Sequence, residues 1–293
     1  MNAGFVSAVG TPLDKDGNLL VDCYKRQIED QIKAGAVGIL SMGSMGQQAY
    51  MTNEVCTKVA ETAVEVVAGR VPVYVGAMDC SIARTKERIA AMEHIDTDGF
   101  VFTTPFYNPC SRDQVINYYK GVAAATKKPI LLYDLPTVTQ AKITYDMVLE
   151  MLRDIPNLIG MKSADHLMFR KLMLNPDVPK DFLLVFSGLD MFDIAYKWGM
   201  ETCLDGMMSC TPKNSKLLFD SMAARDFTAA ATYLSNIVAL RDCFFANDLW
   251  PCYTVAMNLL GYEGYHGPDY ASEATEKAAK AVRDTMVRIG ELE

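Results

Sequence analysis

A single (β/α)8 barrel with a C-terminal helical appendage is the α/β fold this sequence predicts. Three features carry that prediction. Short runs rich in β-branched and apolar residues alternate with amphipathic segments from the start to about residue 225. Eight such runs occur, and after the eighth the pattern turns to nearly pure helix.

The strand candidates are residues 5–10, 37–43, 71–77, 99–104, 129–134, 158–163, 183–188 and 203–208. Most are apolar throughout instead of alternating, as parallel strands covered on both faces require. Eight βα units close into a barrel, whereas open doubly wound sheets stop earlier. Closure also removes the exposed strand edges.

The intervening helices show their buried stripes. In 22–33, Tyr24, Ile28 and Ile32 return at a spacing of four, which places them on one face. Segments 53–67, 81–92, 113–125 and 144–152 repeat the pattern, the last with Thr144 as a candidate N-cap. Turn glycines follow two of these helices, in 34–38 and 68–72. Beyond the eighth strand, 214–222, 226–242, 251–260 and 272–290 read as helices. Ala278, Val282, Met286 and Ile289 form the buried stripe of the last. Residues 1–225 are therefore expected to form the barrel. Residues 226–293 are expected to pack on it within the same structural unit, because so short a helical segment needs a surface to lean on.

Composition narrows the function classes. The chain has 293 residues, half of them hydrophobic, enough for one large core. A net charge of -8 argues against nucleic acid or an anionic membrane as partner. No eighteen-residue apolar stretch and no basic-flanked leader is visible, so a cytoplasmic protein is expected. The eight cysteines include no Cys-x-x-Cys pair and the three histidines lie far apart, so neither a metal site nor a disulfide framework is expected.

In a barrel of this kind chemistry collects at the C-terminal strand ends. Those ends carry Thr11; Gly43, Ser44, Met45 and Gly46; Met78 and Asp79; Thr103 to Tyr107; Tyr133 and Asp134; Lys162 and Ser163; Ser187, Gly188 and Asp190; and Ser209. Lys162 ends an apolar strand, with no acidic residue adjoining it in sequence. Desolvation at the barrel mouth would favour a neutral, nucleophilic amine. The alternative places Lys162 on the outer face, its stem against a helix. Tyr133, one strand away, could relay protons through its hydroxyl or could simply close the barrel top as core. The turn 43–47 (GSMGQ) could cradle a carboxylate on its amides and Ser44. It lacks both nucleotide-binding glycine patterns. Met45, Met161, Met207 and Met208 either line a soft ligand chamber or fill the barrel.

Taken in order, these segments resemble one family: the dihydrodipicolinate synthase and N-acetylneuraminate lyase family of pyruvate-dependent class I aldolases. The resemblance spans the whole chain. It rests on Gly10-Thr11-Pro12-Leu13, Gly43-Ser44-Met45-Gly46-Gln47, Thr104-Pro105-Phe106-Tyr107-Asn108, Tyr133-Asp134-Leu135-Pro136, Gly160-Met161-Lys162 and Phe186-Ser187-Gly188-Leu189-Asp190.

The resemblance implies that Lys162 forms a Schiff base with a 2-oxo acid such as pyruvate. It also implies that Tyr133 shuttles protons and that Ser44 links Tyr133 to Tyr107, with Tyr107 contributed across a dimer interface. The 43–46 turn would hold the pyruvate carboxylate, with Thr11, Val138, Gly188, Asp190, Met207 and Ser209 as further substrate-binding candidates. It further implies a homotetramer built as a dimer of dimers, with no metal or organic cofactor.

Departures from the family pattern bear on the substrate. Val138 and Gln140 stand where dihydrodipicolinate synthases resemble one another in an Arg and a Gly, so a bidentate carboxylate donor is missing. The sialic acid lyase branch is similar in Ser44 and Asp190 but not at Met45, Gln47 and Met191. The reading is thus an aldolase or lyase joining pyruvate and an aldehyde, or cleaving a 2-keto-3-deoxy sugar acid. A 2-oxo acid dehydratase or hydratase-aldolase, a 4-hydroxy-tetrahydrodipicolinate synthase, and a non-catalytic oxo-acid-binding protein are the alternatives.

Overall fold

The computed structural model describes residues 3–293. Eight parallel strands close into one barrel in sequence order, β1 pairing with both β2 and β8. The first half runs β1 (Gly4–Ala8), α1 (Val21–Lys33), β2 (Gly38–Ser41), α2 (Asn53–Val67), β3 (Val73–Gly76), α3 (Ile82–Met92), β4 (Gly99–Thr103) and α4 (Arg112–Ala123). The second half runs β5 (Ile130–Tyr133), α5 (Pro136–Thr139), α6 (Tyr145–Asp154), β6 (Leu158–Ser163), α7 (His166–Leu174), β7 (Leu183–Phe186), α8 (Phe192–Lys197) and β8 (Thr202–Asp205). Then follow α9 (Pro212–Ala223), α10 (Phe227–Ala246), α11 (Leu249–Leu259) and α12 (Glu276–Arg288). All eight expected strands are present, and all but β6 end earlier than their apolar runs because the last residues turn into the loops.

Alternation along the strands divides the core in two. Val6, Leu40, Tyr74, Val101, Leu131, Tyr133, Val185 and Leu204 point inward and fill the barrel. Phe5, Ile39, Phe100, Phe102, Leu132 and Met161 point outward and meet the helices in a much larger apolar layer. Sealing both strand faces in this way explains why the runs read as continuously apolar.

Helix termini are set locally. Thr52, Ser81 and Ser111 cap α2, α3 and α4 through side-chain oxygens, and Gln114 completes a reciprocal capping box with Ser111. Thr144 occupies the N-cap position of α6 but its side chain makes no capping bond, so that expectation is corrected. Gly35 and Gly69, at φ +95° and +72°, supply the left-handed turns after α1 and α2. Three short helices have no counterpart in the sequence reading. These are α5, α7 and α8, each of nine residues or fewer, too brief for a helical stripe to stand out.

The C-terminal helices are tied back to the barrel shell by polar bonds as well as packing. The buried Glu291 carboxylate accepts from the backbone N–H groups of Lys213 and Asn214 at the start of α9, and from the Asn214 amide. On the barrel's outer wall, Ser7 donates to Gln31 of α1, and Gln31 donates to the Ser209 carbonyl. No helix among the described residues is long and apolar enough to cross a membrane.

Candidate active site

The register at the C-terminal end of the barrel sets the site. Thr103 pairs with Tyr133, Tyr133 with Lys162, and Lys162 with Val185 across adjacent strands. Parallel partners face the same way, so Tyr133 and Lys162 both turn inward. Lys162 Nζ donates to Tyr133 Oη at 2.7 Å and lies 3.9 Å from the centroid of that ring. Both residues are buried, at 7% and 3% exposure. The outer-face alternative for Lys162 is thereby excluded, while Tyr133 both packs in the inner core and bonds the amine.

Beneath the amine lies an apolar hollow of about 10 Å3, walled by Val6, Tyr74, Val101, Leu131, Val185 and Leu204. It holds at most one water, so the amine is approached only from the mouth. A wider cleft of about 660 Å3 opens at the far end, among Ala3, Leu174, Pro179, Phe182 and Thr202. It sits at the N-terminal strand ends, away from the lysine, and its size does not mark the site.

Ser44 reaches Tyr133 from across the mouth, Oγ to Oη 3.3 Å. The turn carrying Ser44 is bracketed by two non-glycine residues in the left-handed region, Met42 at φ 56° and Gln47 at φ 61°. Such conformations cost about 1–2 kcal/mol each, and here surrounding bonds hold them. Gln47 Nε2 donates to the Thr11 carbonyl at 2.8 Å, and Thr11 Oγ1 donates to the Gly46 carbonyl at 2.7 Å. Thr11 is fully buried and clamps the turn instead of facing the mouth.

Two close approaches fix the turn further. A Cβ on Gly46 would fall 2.7 Å from Met42 Cα, and one on Gly76 would fall 1.8 Å from the Met42 carbonyl oxygen. The amides of Ser44, Met45 and Gly46 donate to no acceptor among the described residues, and so remain available to an anion. Gly43, also buried, presses against Leu40.

The structure disperses the other candidates. Met45 is half-buried and crosses to β8, where a Cβ on Gly206 would fall 2.1 Å from its Cγ. Met161, Met207 and Met208 belong to the layer between strands and helices, so the four methionines do not enclose one chamber. Ser209 is also in that layer, bonded to the Gly206 carbonyl and to Tyr253 Oη. Asp190 is held by both terminal nitrogens of Arg241, at 2.7 and 2.8 Å, and that guanidinium keeps its carboxyl below the usual range. Gly188 packs on Phe186, Val138 on α5 is 58% exposed, and Tyr107 is 82% exposed. Tyr107 makes no hydrogen bond to Ser44 or Tyr133 within the chain.

Among the polar residues at the strand ends, the sequence reading names Asp134 and Thr103 without their surroundings, and does not name Asp205. Asp134 is a buried carboxylate satisfied by Lys142, by Ser163 Oγ at 2.7 Å and by the Ile143 amide at 3.0 Å. Lys142 also reaches Asp165, at 3.1 Å. Asp205, at the end of β8, has its carboxyl pushed up by burial, opposed by the charge of Lys162. Thr103 is buried beside Tyr133. Asp205, an acid inside the eighth apolar run, left a signal in the sequence that could have found it. No three His, Cys, Asp or Glu side chains among the described residues are grouped to hold a metal.

The dihydrodipicolinate synthetase family profile matches residues 1–286. The chain belongs to this family. Among dihydrodipicolinate synthetase relatives, the 4-hydroxy-tetrahydrodipicolinate synthase of Phenylobacterium zucineum is 28% identical over 248 residues, covering 84% of this chain and 83% of that one. The enzyme of the same name from Aromatoleum aromaticum is 31% identical over 196 residues, or 67% and 66%. Two solved structures share the fold. Dihydrodipicolinate synthase from Thermotoga maritima superposes with a TM-score of 0.89 at 21% identity, covering 100% of both chains. The Escherichia coli K12 prophage protein YagE, a family member solved in complex with pyruvate, gives 0.88 at 22%, covering 99% of each. Membership makes this protein a carbon–carbon lyase of the class I aldolase type.

Proposed function

We propose that this protein joins pyruvate to an aldehyde, or cleaves the corresponding 2-oxo acid, through a Schiff base on Lys162. The observation that carries the reading is the 2.7 Å bond between Lys162 Nζ and Tyr133 Oη in a buried barrel mouth. The amine attacks C2 of the oxo acid, and its carbonyl oxygen takes up a proton to give a carbinolamine. Loss of water leaves a protonated imine. That imine withdraws electrons from C3, so loss of a C3 proton gives an enamine in place of a free carbanion. The enamine carbon attacks the aldehyde, and water then releases the product and restores the lysine. Tyr133 would carry the protons of these steps, a role supported by its bonds to the amine and to Ser44. The free amides of the 44–46 turn suit the carboxylate.

The relatives' names favour a second reading, 4-hydroxy-tetrahydrodipicolinate synthase. Val138 weighs against it, because an apolar, half-exposed side chain cannot clamp a carboxylate on the aldehyde. Loss of such a contact costs about 2–5 kcal/mol. The deciding experiment compares condensation of pyruvate with carboxylated and uncarboxylated aldehydes, alongside pyruvate release from several 2-keto-3-deoxy acids. Preference for the uncarboxylated set supports the first reading, and a strong preference for a carboxylated aldehyde supports the second. Loss of water without pyruvate release would instead mark a dehydratase.

Tyr107, an 82% exposed aromatic at the mouth, suits a residue covered by another copy of the chain. We therefore read the working form as a homo-oligomer, arranged as a tetramer of two dimers. Light scattering showing a monomer at assay concentrations, with full activity, would overturn this.

A further inference from the structure

Thr103 ends β4 in the same register row as Tyr133 and Lys162. Val101, two residues earlier, lines the hollow beneath Lys162, so period-two alternation turns Thr103 inward as well. Thr103 is 4% exposed, and its Oγ1 has no hydrogen-bond partner. Other buried threonine hydroxyls are satisfied: Thr11 by Gly46, Thr85 by Tyr118, Thr139 by Leu135 and Thr211 by Met207. Among the described residues, Thr97 is the other threonine whose hydroxyl is fully inaccessible and without a partner, and it lies before β4 at the opposite end of the barrel. A buried hydroxyl left unpaired costs stability, and in a folded protein it is kept where a ligand or water completes it.

We propose that Thr103 Oγ1 hydrogen-bonds an oxygen that the substrate carries beyond C3, and is the contact by which the site selects a hydroxylated 2-oxo acid over its deoxy analogue. This rests on the Schiff-base reading above. Lys162 fixes C2, and the free amides of the 44–46 turn receive C1. Tyr133 stands between Lys162 and Thr103 in the row. A chain growing from C3 past the Tyr133 phenol therefore arrives at Thr103, one strand further on. A hydroxyl there supplies both a donor and an acceptor, which satisfies Thr103 and leaves no buried polar atom unpaired. An alkyl chain in the same place would leave it orphaned, and sites of that kind reject the deoxy analogue strongly.

The test uses the full-length protein and measures half-saturation of borohydride trapping at Lys162 by two acids, 2-oxopentanoate and 4,5-dihydroxy-2-oxopentanoate. The wild-type protein should favour the dihydroxy acid by at least about tenfold. Thr103→Val keeps the shape and removes the hydroxyl. It should bring the ratio of the two half-saturation values to within about twofold, and Thr103→Ser should restore most of the preference. A thermal melt at or above that of the wild type confirms that the valine variant folds, since it loses only an unpaired group. A wild-type protein without preference, a valine variant that keeps it, or equal weakening towards both acids would overturn the proposal. Failure of the wild-type protein to trap any 2-oxo acid is a different result, because it removes the Schiff-base reading itself.

Discussion

Lys142 donates to the Asp134 carboxylate, and through it braces the ends of β5 and β6, since Ser163 binds the same carboxylate oxygen. Tyr133 and Lys162 immediately precede Asp134 and Ser163. The hydrogen-bonded Tyr133–Lys162 pair therefore stands one residue away from this strut. An acid at position 134 is tolerated because a cation and two hydrogen-bond donors surround it.

Removing that cation should expose the cost of the acid. Lys142→Met is expected to destabilise the protein by about 1–2 kcal/mol, the pair being partly solvent-screened. Adding Asp134→Asn should recover most of the loss, as the amide oxygen can still accept from Ile143. Chemical denaturation of both single variants and the double variant reads the coupling. Strict additivity would show that the two residues act independently.

Gly76→Ala tests whether the strained turn is held by close packing. A Cβ there meets the Met42 carbonyl oxygen at 1.8 Å, so the end of β2 must move. A loss of about 2–4 kcal/mol is expected. Schiff-base formation should slow at least about tenfold, because the displaced turn carries Ser44 and the carboxylate amides. A variant with wild-type stability and trapping rate would mean that the turn is not rigid.

The barrel was legible in the sequence because each strand is covered on both faces, so apolar runs mark all eight strands directly. Lys162 and Tyr133 were legible because strand ends place them in adjacent registers. Asp190 was misleading: nothing local shows that Arg241, fifty-one positions away, takes up its carboxylate. Met161 was misleading for another reason. One step along a strand reverses the face, and its neighbour Lys162 was the residue that turned inward. Asp134 and Lys142 lie eight positions apart, bridged by a helix too short to announce itself.

Acid stability should depend on His266. It is buried, Nε2 lies 3.0 Å from the Tyr262 carbonyl, and burial pushes its pKa down to about 4. The unfolded chain binds the proton near 6.5, so between those values the unfolded state holds more protons and stability falls as pH drops. The contribution is fully present above about 6.5 and is lost progressively towards 4. From pH 7 to pH 5 this one group should remove about 2 kcal/mol. His266→Gln should show that much less loss across the same interval, measured by denaturant titration at both pH values. Parallel curves would contradict the assignment.

Tyr133→Phe separates positioning from proton transfer. Turnover should fall at least about a hundredfold while trapping of Lys162 is partly retained. Unchanged turnover would reduce Tyr133 to scaffold.

The most direct measurement is borohydride reduction of the wild-type protein in pyruvate, followed by peptide mass mapping. The account predicts a gain of about 72 Da on the peptide containing Lys162, abolished by Lys162→Arg. Unmodified protein after reduction, or the adduct on a different lysine, would contradict it.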